Sequence, residues 1–121
     1  MAHIKIVSFT SRGAETGERI AKVLGHFLVE EYQRSEDVSL AASSIERFAQ
    51  QAMVDCDLLI FISEIHTAVR AIARYTANNG YDPMVLCADE SLCRLVQILD
   101  NENFRATADQ IAERLGVPLF K

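Results

Sequence analysis

Hydrophobic residues fall into short runs separated by amphipathic stretches. Ile4 to Phe9 is apolar and rich in β-branched residues, which predicts a buried strand. It ends at Thr10-Ser11-Arg12-Gly13. Ala14, Gly17, Ile20, Ala21 and Leu24 then share one helical face, with Gly25 expected to close the helix. Phe27 to Glu30 suits a short edge strand, and the polar stretch Gln33 to Ser39 reads as a loop. Ser43 or Ser44 can cap a helix carrying Ile45, Phe48, Ala49, Ala52 and Met53.

Asp57 to Ile62 is a continuous apolar run, the mark of a central parallel strand covered on both faces. After the turn Ser63-Glu64-Ile65-His66, a helix carries Ile65, Ala68, Val69, Ile72 and Ala73. Asn78 to Pro83 breaks the pattern, Met84 to Ala88 is the next strand, and Asp89-Glu90-Ser91 is a turn. Leu92 to Leu99 fits both helical spacing and a hairpin strand. A last helix is expected from Phe104 to Leu115, stopped by Gly116, and a last strand from Val117 to Phe120. Alternating strands and helices imply an α/β fold, a three-layer α/β/α sandwich with a mostly parallel, flavodoxin- or Rossmann-like sheet. Without repeats or a low-complexity tract, residues 1–121 read as a single domain.

Composition narrows the function classes. The net charge of −5 and the dispersed Lys and Arg argue against nucleic acid as a partner. No apolar run approaches the ~20 residues of a membrane span. The N-terminus lacks the pattern of a secretory signal, so a cytoplasmic protein is expected. Cys56, Cys87 and Cys93 form no Cys-x-x-Cys pair, so no metal site and no cofactor are expected; all three read as buried, reduced thiols, although Cys87 and Cys93 flank a turn and can approach each other.

In an open α/β sheet, ligands bind beyond the carboxyl ends of the strands. One such end is Thr10-Ser11-Arg12-Gly13, where hydroxyls and a helix N-terminus favour an anion; a plain capped turn is the competing reading. The other is Ser63-Glu64-Ile65-His66. There His66 suits an acid, a base or an axial ligand, or else a polar cap. Arg70 suits a bidentate carboxylate clamp, or else a salt bridge to Asp82 or Asp89. The pair Asp89-Glu90 suits acid–base work or a solvated turn. His3 and His26 read as structural. Adjacent parallel strands would gather Thr10, Arg12, Ser63, His66 and Arg70 around one cleft.

These segments resemble the N-terminal region of CbiG, a cobalamin-biosynthesis family. Ile4 to Ala14 is similar to the family's first strand and Thr-x-x-Gly-Ala turn, and Asp57 to Ile62 to its second core strand. Ala68-Val69-Arg70-Ala71-Ile72-Ala73 is similar to its Val-Arg-x-Ile-Ala helix, and Asp82-Pro83-Met84-Val85 with Asp89-Glu90 to its Asp-Pro-x-Val strand and Asp-Glu turn. The resemblance makes Leu92 to Leu99 a strand. It implies a role in anaerobic vitamin B12 synthesis near cobalt-precorrin-5A hydrolase, which opens a corrinoid lactone and releases acetaldehyde. The implied ligand is a corrinoid, its carboxylates on Arg12 and Arg70 and its other contacts from Thr10, Gly13, Ser63 and Asp89. His66 or Glu90 would be the catalytic base. The implied further partners are a second copy of the chain or another cobalamin-pathway protein.

The chain also departs from the family. Ser63 and His66 stand where glycines are usual, and Arg74 where a proline is usual. Asp100 to Thr107 replaces Ser-Gly-His-x-Gly-Gly-Ala-Asn, and the family's C-terminal domain has no counterpart in these residues. Phe104 and Arg105 are expected to add bulk where the substrate passes, and Glu102 to replace the His. Little or no lactone hydrolysis is therefore expected, leaving a ligand-binding relative. An alternative is a flavodoxin-like binder of a flavin nucleotide, with Thr10 to Thr16 as a loose phosphate loop. The absence of Trp and the presence of only three Tyr weigh against it.

Overall fold

The computed structural model describes residues 3–25, 28–33, 49–76 and 82–121, with residues 28–33 described by their backbone. In chain order the elements are β1 (His3–Ser8), α1 (Ser11–Val23), β2 (Leu28–Gln33), the helical residues 49–55 (α2), β3 (Leu58–Ile62), α3 (Ile65–Ile72), β4 (Met84–Ala88), β5 (Leu95–Leu99), α4 (Arg105–Leu115) and β6 (Leu119–Phe120). Short 3-10 turns follow α3 and precede α4. The expected loop beyond Gln33, the Ser43 or Ser44 cap, His26 and most of the Asn78 break lie outside the described residues.

The strands form one six-stranded sheet in the order β2-β1-β3-β4-β5-β6. β1 pairs in parallel with both β2 and β3, and β3 with β4. β5 is antiparallel to β4, and β6 is parallel to β5. The sheet is thus mostly parallel, with a reversed pair at one edge. Every residue of β3 and β4 is buried, as expected for strands covered on both faces. On one face Ile20 and Leu24 of α1 and Ala108, Ile111 and Ala112 of α4 pack on Ile4, Ile6, Ile60 and Leu86. On the other, Ala49, Ala52 and Met53 of α2 and Ala68, Ala71 and Ile72 of α3 pack on Val7, Leu59, Phe61 and Val85.

Three local readings are corrected. The buried line of α3 is Ala68, Ala71 and Ile72, while Ile65 and Val69 are 44% and 42% exposed. α1 ends on Leu24 with ordinary φ, and among the described glycines only Gly116 adopts the left-handed conformation, φ +67°. Cys56 and Cys87 are buried free thiols, but Cys93 is exposed.

Candidate functional site

The strand order reverses direction between β1 and β3, since the chain leaves β1 toward β2 and returns on the other side. Doubly wound sheets bind ligands outside the carboxyl ends of the strands at such a point. Here that edge carries the turn after β1, the turn after β3 and the turn after β4. Because β5 is antiparallel, its first residues return to the same edge.

Thr10 is the N-cap of α1: its Oγ1 accepts from the Gly13 backbone N–H at 3.0 Å. The same hydroxyl donates to Glu90 Oε1 at 2.5 Å, and Thr16, 4% exposed on α1, donates to the Glu90 backbone carbonyl at 2.5 Å. Glu90 is therefore held at both its side chain and its backbone. A Cβ on Gly13 would lie 3.2 Å from Thr10 Oγ1 and 3.4 Å from Ile62 Cγ2, so the close approach of α1 to β3 favours glycine there.

Between α3, β4 and β5 lies a cleft of about 880 Å³, lined by Ser63, Glu64, Ile65, His66, Val69, Cys87, Asp89, Glu90, Arg94 and Val96. A hollow of about 290 Å³ at the β1–β3 point shares Ser63, Glu64 and Glu90 with it and adds Phe9 and Thr67. Ile65, Val69 and Val96 supply the apolar contribution, and the strand-end turns supply the polar one. His66 Nε2 lies 3.3 Å from Glu64 Oε2, and both side chains are exposed. Glu64 is the N-cap of α3 but makes no side-chain cap bond. Asp89 accepts from the Cys93 backbone N–H at 2.9 Å. Partial burial pushes its carboxyl up, but hydrogen bonds from the Cys93 backbone and the Ser91 side chain outweigh this and hold it below the usual carboxylate range. Burial pushes the Cys87 thiol up, against a hydrogen bond with Ser63, and the thiol donates to the Ser63 carbonyl at 3.2 Å. Leu92, which closes the Asp89 turn, is 5% exposed and holds the left-handed φ of 53°. Burial of its side chain offsets that strain.

The structure brings Ser63, His66, Asp89 and Glu90 to one cleft wall, with Thr10 and Gly13 behind Glu90. It leaves Arg12 and Arg70 exposed and outside the lining. They sit on helices that cover opposite faces of the sheet, and α3 carries Arg70 away from the carboxyl edge. Among the described residues Arg70 forms no ion pair with Asp82 or Asp89. Sequence reading missed Arg94 and Thr16. Only the antiparallel direction of β5 brings Arg94 to this edge, and Thr16 gave no signal beyond its place on the inner face of α1.

The segment Asp100 to Thr107 does not line the cleft. β5 runs back to the amino edge, where Asn101 Nδ2 donates to the Asp82 carbonyl at 3.0 Å. Phe104 is 9% exposed in the core, and Arg105 pairs with Asp100. The expectation that Phe104 and Arg105 obstruct the cleft is corrected: they lie at the opposite end of the sheet.

Among the described residues no group of three or more His, Cys, Asp or Glu is arranged to hold a metal ion, and no helix is long and apolar enough to cross a membrane.

No curated protein matches the chain. The crystal structure of a cobalamin biosynthesis protein G homolog from Sulfolobus solfataricus is similar to it, with a TM-score of 0.75 and 18% identity. That likeness covers 98% of this chain and 36% of the other, so the chain spans about a third of that relative's length, and at this identity it speaks for the fold. The family model for cobalamin synthesis G, N-terminal, matches residues 47–119, which include Ser63, His66, Asp89, Glu90 and Arg94 but not Thr10, Arg12 or Gly13. With more than half of its residues matched by that model, on an α/β fold shared with a cobalamin biosynthesis protein G homolog, the chain belongs to the CbiG N-terminal family.

Proposed function

We propose that this CbiG-type chain binds a corrinoid intermediate of cobalamin synthesis in the carboxyl-edge cleft and, by itself, catalyses little or no lactone hydrolysis. The observation that carries the binding half is the cleft. It is large enough for a substantial part of a flat macrocycle, it has apolar side chains from α3 and β5, and it sits where open α/β sheets bind ligands. Ser63 and Arg94 would meet polar groups of the ligand, and the Thr10–Glu90 contact would set its inner limit.

The second half rests on the sequence's departure from the family's pattern and not on the geometry of the cleft, since Asp100 to Thr107 lies at the amino edge, away from it. The segment lacks the His and glycines of the family's Ser-Gly-His-x-Gly-Gly-Ala-Asn, and with them the close backbone approach and N–H groups that can steady an oxyanion. Here that place holds the Asp100–Arg105 pair and the buried Phe104. If turnover occurs despite this, the base belongs to the cleft, to His66 beside Glu64 or to Glu90.

The flavin alternative is less well supported. The Thr10 hydroxyl is already spent on Gly13 and Glu90, and the Glu90 carboxylate would repel a phosphate at that turn.

The test incubates the purified protein with a cobalt-corrin lactone, following acetaldehyde release together with the visible spectrum of the bound corrin. A spectral shift without acetaldehyde is the expected result. Neither signal would overturn the reading, and rapid acetaldehyde release would overturn its second half.

A further inference from the structure

The large hydrophobics that stand exposed among the described residues are Val54, Ile65, Val69 and Phe120, and all four lie on one face of the sheet. Val54 is on α2, and Ile65 and Val69 are on α3, the two helices packed on that face. Phe120 joins them because the register runs from Cys87 through Val96 to Phe120, and aligned residues of neighbouring strands share a face. On the opposite face the outward positions of α1 and α4 are polar, with Glu15, Glu18 and Lys22 on the one and Asp109, Glu113 and Arg114 on the other. A surface helix ordinarily turns such residues to water. Exposed apolar side chains gathered on one face mark a surface that meets another protein.

The charge pattern of α3 identifies that protein. Ile65, Val69 and Ala73 stand four residues apart and make one exposed row, the last in the 3-10 turn that continues the helix. Beside it runs a second exposed row, His66 and Arg70. Glu64 belongs to this second row: its Oε2 lies 3.3 Å from His66 Nε2, and its side chain caps no backbone N–H of α3. The second row is therefore acidic where α3 begins and basic where it ends. A surface of that kind is complementary to its own image turned about a two-fold axis. With Val69 on the axis and the two helices antiparallel, Ile65 of each copy packs on the partner's Ala73, whose small side chain leaves room for it. The same rotation brings Glu64 toward the partner's Arg70.

We propose that this face is a homodimer interface, in which α3 packs antiparallel on α3 of a second copy about a two-fold axis near Val69, and each Glu64 pairs with the partner's Arg70. The proposal is independent of the corrinoid reading, and its test contains no ligand.

Sedimentation equilibrium of the full chain over a range of concentrations tests it. The parent should be a monomer–dimer mixture that shifts toward twice the chain mass as concentration rises. Val69→Glu alters an exposed side chain and should fold normally, as circular dichroism would verify. It should weaken the dimer about tenfold or more, because it places a charge at the centre of the contact. Two charge reversals test the pairing itself. Glu64→Arg alone brings two guanidinium groups together at each contact, and Arg70→Glu alone brings two carboxylates. Each should weaken its own dimer about tenfold or more. Mixed in equal amounts, the two variants should form a heterodimer about as tight as the parent dimer, because both contacts are then of opposite sign. A parent that stays monomeric at every concentration would overturn the second copy as the occupant of this face and leave the face to a different protein. A dimer that Val69→Glu leaves intact, or charge variants that fail to associate on mixing, would overturn the α3 pairing.

Discussion

The Thr10 hydroxyl donates to Glu90 Oε1 at 2.5 Å, joining residues 80 positions apart in the chain. The contact ties the turn after β1 to the turn after β4 across the end of β3. It exists because β1, β3 and β4 are parallel and end at one edge. With the bond from Thr16 to the Glu90 carbonyl, it anchors the inner wall of the cleft to α1.

Thr10→Val removes both the N-cap acceptor and the donor to Glu90. It should lower stability by about 1–2 kcal/mol, while Thr10→Ser should keep most of it. Urea midpoints of the two variants decide the matter. Equal losses for Ser and Val would show that the hydroxyl contributes little.

Gly116→Ala introduces a Cβ at φ +67° where no atom lies within 4 Å. The cost is backbone strain alone, and about 1 kcal/mol of stability should be lost. Gly116→Asn should lose less, because Asn tolerates the left-handed region. A thermal melt of each variant compares them, and an Ala variant as stable as the parent would rule out the left-handed cap.

Asp89 titrates below the ordinary value of 3.8 in the folded chain. A depressed folded pKa contributes stability above the unfolded value and loses it as pH falls through the folded one. The parent should therefore shed stability below about pH 4, and Asp89→Ala should show a shallower acid slope. At neutral pH this variant should be weaker by about 1 kcal/mol, the low end for a bond to a partly solvated carboxylate. Parallel acid slopes for the two proteins would contradict the assignment.

Cys93 is exposed, whereas Cys56 and Cys87 are buried and burial raises the Cys87 pKa. A thiol reagent at neutral pH should label Cys93 quickly and the other two only as the protein opens. Fast labelling that survives Cys93→Ser would place a second thiol at the surface.

Much of the fold was legible because it depends on local pattern. A continuous run such as Asp57 to Ile62 suits only a strand buried on both faces, and β3 is buried throughout. Gly116 stops α4 as expected, since glycine reaches the left-handed region without steric cost. The two strand-end turns were also readable, because strand–turn–helix order places them at a carboxyl edge whatever the sheet order. The helix faces were less so. The expected stripe of α3 included Ile65 and Val69, yet the face that meets the sheet is Ala68, Ala71 and Ile72, and Ile65 and Val69 line the cleft.

The sequence by itself determined the class of fold, most of the strands and the edge at which the strand-end turns meet, since those follow from short-range periodicity and turn chemistry. Tertiary structure alone decided which charged residues share that edge. Antiparallel pairing of β5 carries Arg94 into the cleft and Asp100 to Thr107 out to the far edge. The helix positions leave Arg12 and Arg70 outside it. Leu92 to Leu99 fitted a helix as well as a hairpin strand, and pairing and register with β4 settle that the segment is a strand and which way it runs.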